Sequence, residues 1–246
     1  MGKSHVAGRT SENPTPAQMK EFWSQVDSGK ITKNLFQQFL RGNNSHVNYD
    51  LAAQLLEDDF ITPKEIMRIR SVSYGYDQLV HFFRTFPTNE KMHICRSNGL
   101  MLIAGPPTAM NFTDIKPSNE GDIEIGYGDL QLLRAGMIND QVETDWLMLR
   151  KFAYPGSGNK SFDEQSAVLS GFEYIPNASE VLWGCLNHRE ITGESLYGDV
   201  KVRTSTIFDG RRVFIGSTKG KIIVGYVIDD YKSEDIGLAV AFKNVA

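Results

Sequence analysis

The run Pro155-Gly-Ser-Gly-Asn-Lys-Ser161 follows a strand signal and precedes a helix signal. That is the setting in which backbone N–H groups, a helix N-terminus and a lysine converge on phosphate. Asn159 stands where the glycine before the lysine belongs, and Tyr154 where the first glycine of that spacing belongs. The run therefore reads as a surface loop leading into a capped helix.

A second candidate is acidic. Between Asp114 and Asp145 eight carboxylates face only Lys116 and Arg134, a net −6. Asp122 and Glu124 share one face of a period-two strand, roughly 7 Å apart, with Asp129 near in sequence. Two carboxylates on one face can hold a divalent metal or act as acid and base. The stretch has no histidine, which weighs against a transition metal. The other reading is a solvated face of an edge strand.

Histidines and cysteines offer less. His93 and Cys95 are two apart, and on a helix residues at that spacing do not face each other, so no local Cys–His pair forms. Neither Cys95 nor Cys185 has a second cysteine within zinc-ligand spacing. They read as buried thiols, outside any disulfide framework. No metal and no cofactor are expected.

The third candidate is basic. Residues 201–221 hold Lys201, Arg203, Arg211, Arg212, Lys219 and Lys221 against Asp209, a net +5, with Phe214 among them. A sheet carrying cations and an aromatic can bind single-stranded nucleic acid by phosphate contact and stacking. The alternative is a solvated outer face whose Lys and Arg deter edge pairing.

These residues sit on elements that change character along the chain. The polar residues 1–13 read as a flexible tail. Residues 14–98 read as short helices. Thr15 and Pro16 open the first, with Met19, Phe22, Trp23 and Val26 on one face. Thr32 caps a second with Leu35, Phe36, Phe39 and Leu40. Asp50 precedes Leu51, Leu55 and Leu56. Thr62-Pro63-Lys64-Glu65 has capping-box spacing. Asp77 and Thr88 open two more, the last closing at Asn98-Gly99. From residue 99 strands appear: 100–104 before Gly105-Pro106-Pro107, 122–125, and 146–152. Ser161 opens a helix to about Leu169, and Asn177 caps one ending near Thr192-Gly193. The last fifty residues read as strands, with Asp209-Gly210 as a hairpin turn.

Helices first, a mixed stretch next and strands last predict an α+β fold with a helical region at 14–98 and a mixed to strand-rich module at 99–246. The 246 residues are 41% apolar and 23% charged, with net charge −4, which excludes disordered and strongly polybasic classes. No run approaches the ~20 apolar residues of a membrane helix. The N-terminus has no signal-peptide pattern, so no membrane association and a cytoplasmic location are expected.

Several short motifs recur together in one group of proteins. They are residues 15–40, Pro106-Pro107, Tyr154-Pro-Gly-Ser157, Phe162-Asp-Glu-Gln165, Pro176-Asn-Ala178, Thr192-Gly193, Val202-Arg-Thr-Ser205 and Asp235-Ile-Gly-Leu-Ala239. The chain thereby resembles multi-copy uncharacterised proteins of uncultured, small-genome bacteria, a group that implies no known activity. Its C-terminal part is similar to the variable proteins of diversity-generating retroelements, which display varied residues on a C-type-lectin-like frame. The resemblance places display positions near Arg211, Phe214, Ser217, Ile223, Gly225, Tyr226, Asp230 and Tyr231. Several of these are Ile, Phe or Arg, where a codon-limited repertoire would favour Asn, Asp, Ser and Tyr, as in a fixed descendant of such a frame. The bottom-up reading of Ile223 and Tyr226 is different: sheet-face core and boundary residues.

The expectation is a non-enzymatic binding protein whose C-terminal sheet contacts a protein or other macromolecular ligand. Its anchors are Arg211, Phe214, Tyr226 and Tyr231, because aromatic and arginine side chains supply the most contact energy. The alternatives are nucleic-acid binding through 201–221 and a carboxylate- or metal-dependent enzyme using 114–145.

Overall fold

The computed structural model describes residues 49–115, 120–125, 137, 139–218 and 220–243, together with 20, 23–25, 27–29 and 32. Two compact units divide the chain, Met1–His46 and Val47–Ala246. In the first, residues 20, 23–25 and 27 are helical. The chain then turns at Ser28 and Gly29, the latter at φ +73°. The tail 1–13, the cap at Thr15 and the apolar face at 35–40 lie outside the described residues.

The second unit is α+β. It opens with helix α1 (Tyr49–Leu56), the short strand β1 (Phe60–Ile61) and helices α2 (Pro63–Ile69), α3 (Tyr76–Arg84) and α4 (Asn89–Asn98). The Thr62–Glu65 capping box forms in full, each residue satisfying a backbone N–H of the other. Thr88 caps α4, and Gly99 at φ +62° ends it. These helices do not stand apart from the strands. α1 packs on α4, and α4 on β2 (Leu100–Ala104), so residues 49–98 share one core with the module expected from residue 99.

The remaining elements are β3 (Met110–Asn111), β4 (Ile123–Ile125), β5 (Gln141–Val142), β6 (Trp146–Arg150), α5 (Phe162–Ser166), β7 (Glu173–Tyr174), α6 (Ala178–Thr192), β8 (Lys201–Phe208), β9 (Arg211–Thr218), β10 (Lys221–Val227), β11 (Ile236–Leu238) and β12 (Ala241–Phe242). One five-stranded sheet runs β1-β2-β6-β12-β7 and a second β11-β8-β9-β10-β4, beside a two-stranded ribbon of β3 and β5. The pairs β1–β2, β4–β10 and β8–β11 are parallel. β11 joins the second sheet and β12, two residues later, the first, so the chain end stitches the sheets together.

Helix α6 packs on β6 of the first sheet and on β8 and β9 of the second. It is buried over most of its circumference, from Ala178 to His188, as a helix between two layers must be. Asn177 and Glu180 form its capping box. Trp183 donates its indole N–H to the Ala104 carbonyl of β2 at 2.9 Å. Gly184 permits the close approach, since a Cβ there would meet Leu149 at 2.5 Å and Met101 at 2.7 Å. Beside the first sheet, Tyr49, Phe60, Phe82 and Phe86 surround Trp146 at 5.2–6.3 Å between ring centres.

Two elements are shorter than expected. The helix opened by Ser161 ends at Ser166, where the serine hydroxyl returns to the Asp163 carbonyl instead of leaving the helix to propagate. The 146–152 strand stops at Arg150, and Lys151 instead donates to the Gly99 carbonyl.

Candidate functional site

The second sheet is built from one meander. Asp209 and Gly210, at φ +50° and +68°, make the two-residue turn between β8 and β9, a type I′ geometry that suits the strand twist. Cross-strand partners share a face, so the register sorts the side chains. Val202, Val213, Ile215, Ile222 and Val224 form the face turned to the core. Arg203, Phe214 and Gly225 lie on the other face, where Arg203 pairs with Phe214 and Phe214 with Gly225.

Segment 228–235 is tied to that face by arginines. Arg203, 0% exposed, donates to the Lys160 carbonyl, to Gln165 Oε1 and to the Tyr231 carbonyl. Arg212 grips both oxygens of Asp229 at 3.0–3.1 Å, donates to the Ser205 carbonyl, and lies 3.6 Å from the Phe162 ring centre. In the first turn of helix α5, exposed Glu164 accepts from Lys232. That bond, helped by the Ser161 backbone N–H, holds the Glu164 carboxyl down at about 2.

Beside this segment a cleft of about 500 Å³ is lined by Lys201, Arg211, Phe214, Tyr226, Val227, Tyr231, Asp235 and Ile236. The guanidinium of Arg211 sits 5.0 Å from the centre of the Tyr226 ring, and the Lys201 ammonium 5.9 Å from that of Phe214. Lys201 pairs with Asp235 at 3.0 Å. Hydrogen bonds from Ser233 and Lys201 hold the Asp235 carboxyl below its ordinary range. Tyr226 also packs against Phe208, 5.5 Å between ring centres.

Of the eight display positions, Arg211, Phe214, Tyr226 and Tyr231 line this cleft, and Ser217, Ile223, Gly225 and Asp230 do not. Phe214 is a correction as an exposed anchor. It is only 2% exposed, because its ring lies over Gly225, where a Cβ would come within 2.5 Å of it. Ile223 is buried opposite Gly216 on an inner strand, which corrects it as a contact residue. Ser217 pairs with core-facing Ile222, and exposed Asp230 lies off the cleft. Tyr231, 47% exposed, and Arg211 present the open surface. Asp235, Val227 and Ile236 also line the cleft and are not among the expected display positions. The β8–β11 pairing that brings Asp235 and Ile236 beside Lys201 joins segments more than thirty residues apart and has no local signal.

The other candidates have their groups already engaged. In the 155–161 loop, the N–H groups of Ser157, Asn159 and Ser161 go to Tyr154, Ser233 and Glu164, and Lys160 gives its carbonyl to Arg203. Asp122 lies in a 3-10 turn before β4 and pairs with Arg189 at 2.9 Å, while Glu124 faces Lys221 at 3.8 Å. Asp129 lies outside the described residues. Within the basic segment, Arg203 and Arg212 are buried, and Lys201 and Lys221 have acidic partners. Among the described residues no group of three or more His, Cys, Asp or Glu is arranged to hold a metal ion.

A second cleft, of about 470 Å³, lies by Trp146 and is lined in part by Glu143, Asp145, Tyr174 and Glu180. Glu180 is the third residue of the α6 capping box. It accepts from the Asn177 N–H and the Tyr174 hydroxyl, and burial pushes its carboxyl above its ordinary value. Asp145 is engaged by the Trp146 N–H and by His81. Cys95 and Cys185 are free and buried, and burial pushes both thiols up to about 12, far from a reactive thiolate. His93 points outward while Cys95 points in. His188 is buried, with Asp59 3.4 Å from Nε2 and the Glu194 carbonyl 3.2 Å from Nδ1.

No described helix is long and apolar enough to cross a membrane. Comparisons with protein-family models, with curated proteins and with solved structures find no match.

Proposed function

We propose that this chain is a non-enzymatic binding protein that offers the cleft of its second sheet to a macromolecular partner. The observation that carries this reading is the convergence of Arg211, Phe214, Tyr226 and Tyr231 on one concave surface. Arginine and tyrosine are the residue types that dominate interface energetics, and here they are held on strands and on an arginine-tied segment. A C-type-lectin-like frame is part of the same proposal, supported by the β8–β9–β10 meander that carries most of the display positions. The two unpaired thiols fit a reducing compartment such as the cytoplasm.

The test is selection of a random dodecapeptide display library on the full chain, followed by rebinding to the variant R211A/Y226A/Y231A. Circular dichroism and thermal melting confirm that the variant is folded. The expected result is a selected pool that loses most of its binding on the variant. A pool that binds both proteins equally, or no pool, overturns the reading.

A further inference from the structure

The cleft holds two cations and one carboxylate, but they are not equivalent. Lys201 and Asp235 neutralise each other at 3.0 Å. Arg211 is exposed and makes no ion pair with any described residue, and its guanidinium lies over the ring of Tyr226. It therefore carries the one uncompensated charge of the cleft, on a planar fork of donors held against an aromatic face. Val227, Ile236 and Tyr231 line the same cleft and supply apolar surface.

We infer that the ligand is an acidic peptide segment of a partner protein, in which an Asp or Glu carboxylate pairs with Arg211 and an adjacent large apolar side chain packs on Tyr231. This deepens the binding reading and rests on it. One guanidinium matches one carboxylate in a bidentate pair. A phosphate dianion would leave a charge uncovered. A nucleic-acid backbone needs several unpaired cations along a track, and the other described cations of 201–221 have partners or are buried. The volume, about 500 Å³, is ample for two neighbouring side chains.

The experiment sequences the dodecapeptide pool selected on the full chain. Fluorescence anisotropy then measures single peptides on the unsubstituted protein and on R211A, R211E and Y231A, with a twenty-residue oligothymidylate in parallel. The expected pool is enriched in Asp or Glu beside Leu, Phe, Tyr or Trp. Changing that acid to its amide should weaken binding at least about tenfold, R211A should do the same, and the two losses should not add. R211E should weaken the acidic peptides further. A pool that depends on Tyr231 but is neutral or basic overturns the acidic ligand and leaves the binding surface standing. A pool indifferent to both Tyr231 and Arg211, or no pool, overturns both. Oligothymidylate binding tighter than any peptide and falling steeply with salt overturns the peptide in favour of nucleic acid.

Discussion

The two sheets of Val47–Ala246 share helix α6 and the chain end, yet they are finished differently. The described central strands of the first sheet, β2 and β6, are buried almost throughout, with α4, α6 and the Trp146 ring cluster against them. The second sheet buries one face on α6 and covers the other with segment 228–235, fastened by Arg203, Arg212 and Glu164 rather than by a second apolar layer. Both sheets border a cleft of similar volume; the one by Trp146 is lined in part by carboxylates, whereas the one at the polar-tied strap presents exposed Arg211 and Tyr231. The sheets therefore differ in how they are fastened and in what their clefts present, not in how much space they leave.

The largest expected effect lies at the first sheet. Trp183→Ala removes a fully buried ring and its bond to the Ala104 carbonyl. Urea unfolding should show a loss of about 3–5 kcal/mol. At the second sheet, Arg203→Met strips three acceptors of their donor, at a cost of roughly 2–4 kcal/mol. Hydrogen exchange should then rise in 228–235 while β2 and β6 stay protected. Equal loosening of both sheets would erase the distinction between apolar packing and polar fastening. Gly225→Val sets a side chain into the Phe214 ring, which its Cβ alone would approach to 2.5 Å. Denaturation should show roughly 1–3 kcal/mol lost, with the cleft narrowed as that ring moves.

The smallest effect is a pH dependence. Glu164 is held at about 2 when folded, against an ordinary value of 4.5. The unfolded chain therefore takes up this proton first as pH falls. The stabilisation from Glu164 is complete above 4.5 and is lost between 4.5 and about 2. Thermal melts across that window should fall less steeply for Glu164→Gln than for the unsubstituted chain. Identical slopes would remove Glu164 from the fastening.

Much of the local structure was legible. The Thr62, Ser161 and Asn177 caps and the Asp209-Gly210 turn each act within four residues, and all form. Strands β1, β7 and β12, two residues each, left no period to read. The charges of 201–221 were countable but their partners were not, since Asp229 and Gln165 reach Arg212 and Arg203 only in the folded chain. For the same reason Phe214 reads as an anchor, when its ring in fact forms the base of the cleft over Gly225. Arg211 and Tyr231 were legible by residue type alone. That they line one cleft is visible only in the folded chain, where residues 211 and 231 come together across distant segments.

The most direct test of the second sheet's cleft is a crystallographic fragment screen of the full chain, which needs no prior ligand. Small aromatic carboxylates should collect in the cleft, with the carboxylate on Arg211 and the ring near Tyr231. Fragments that gather elsewhere, with that cleft occupied only by solvent, would contradict the account.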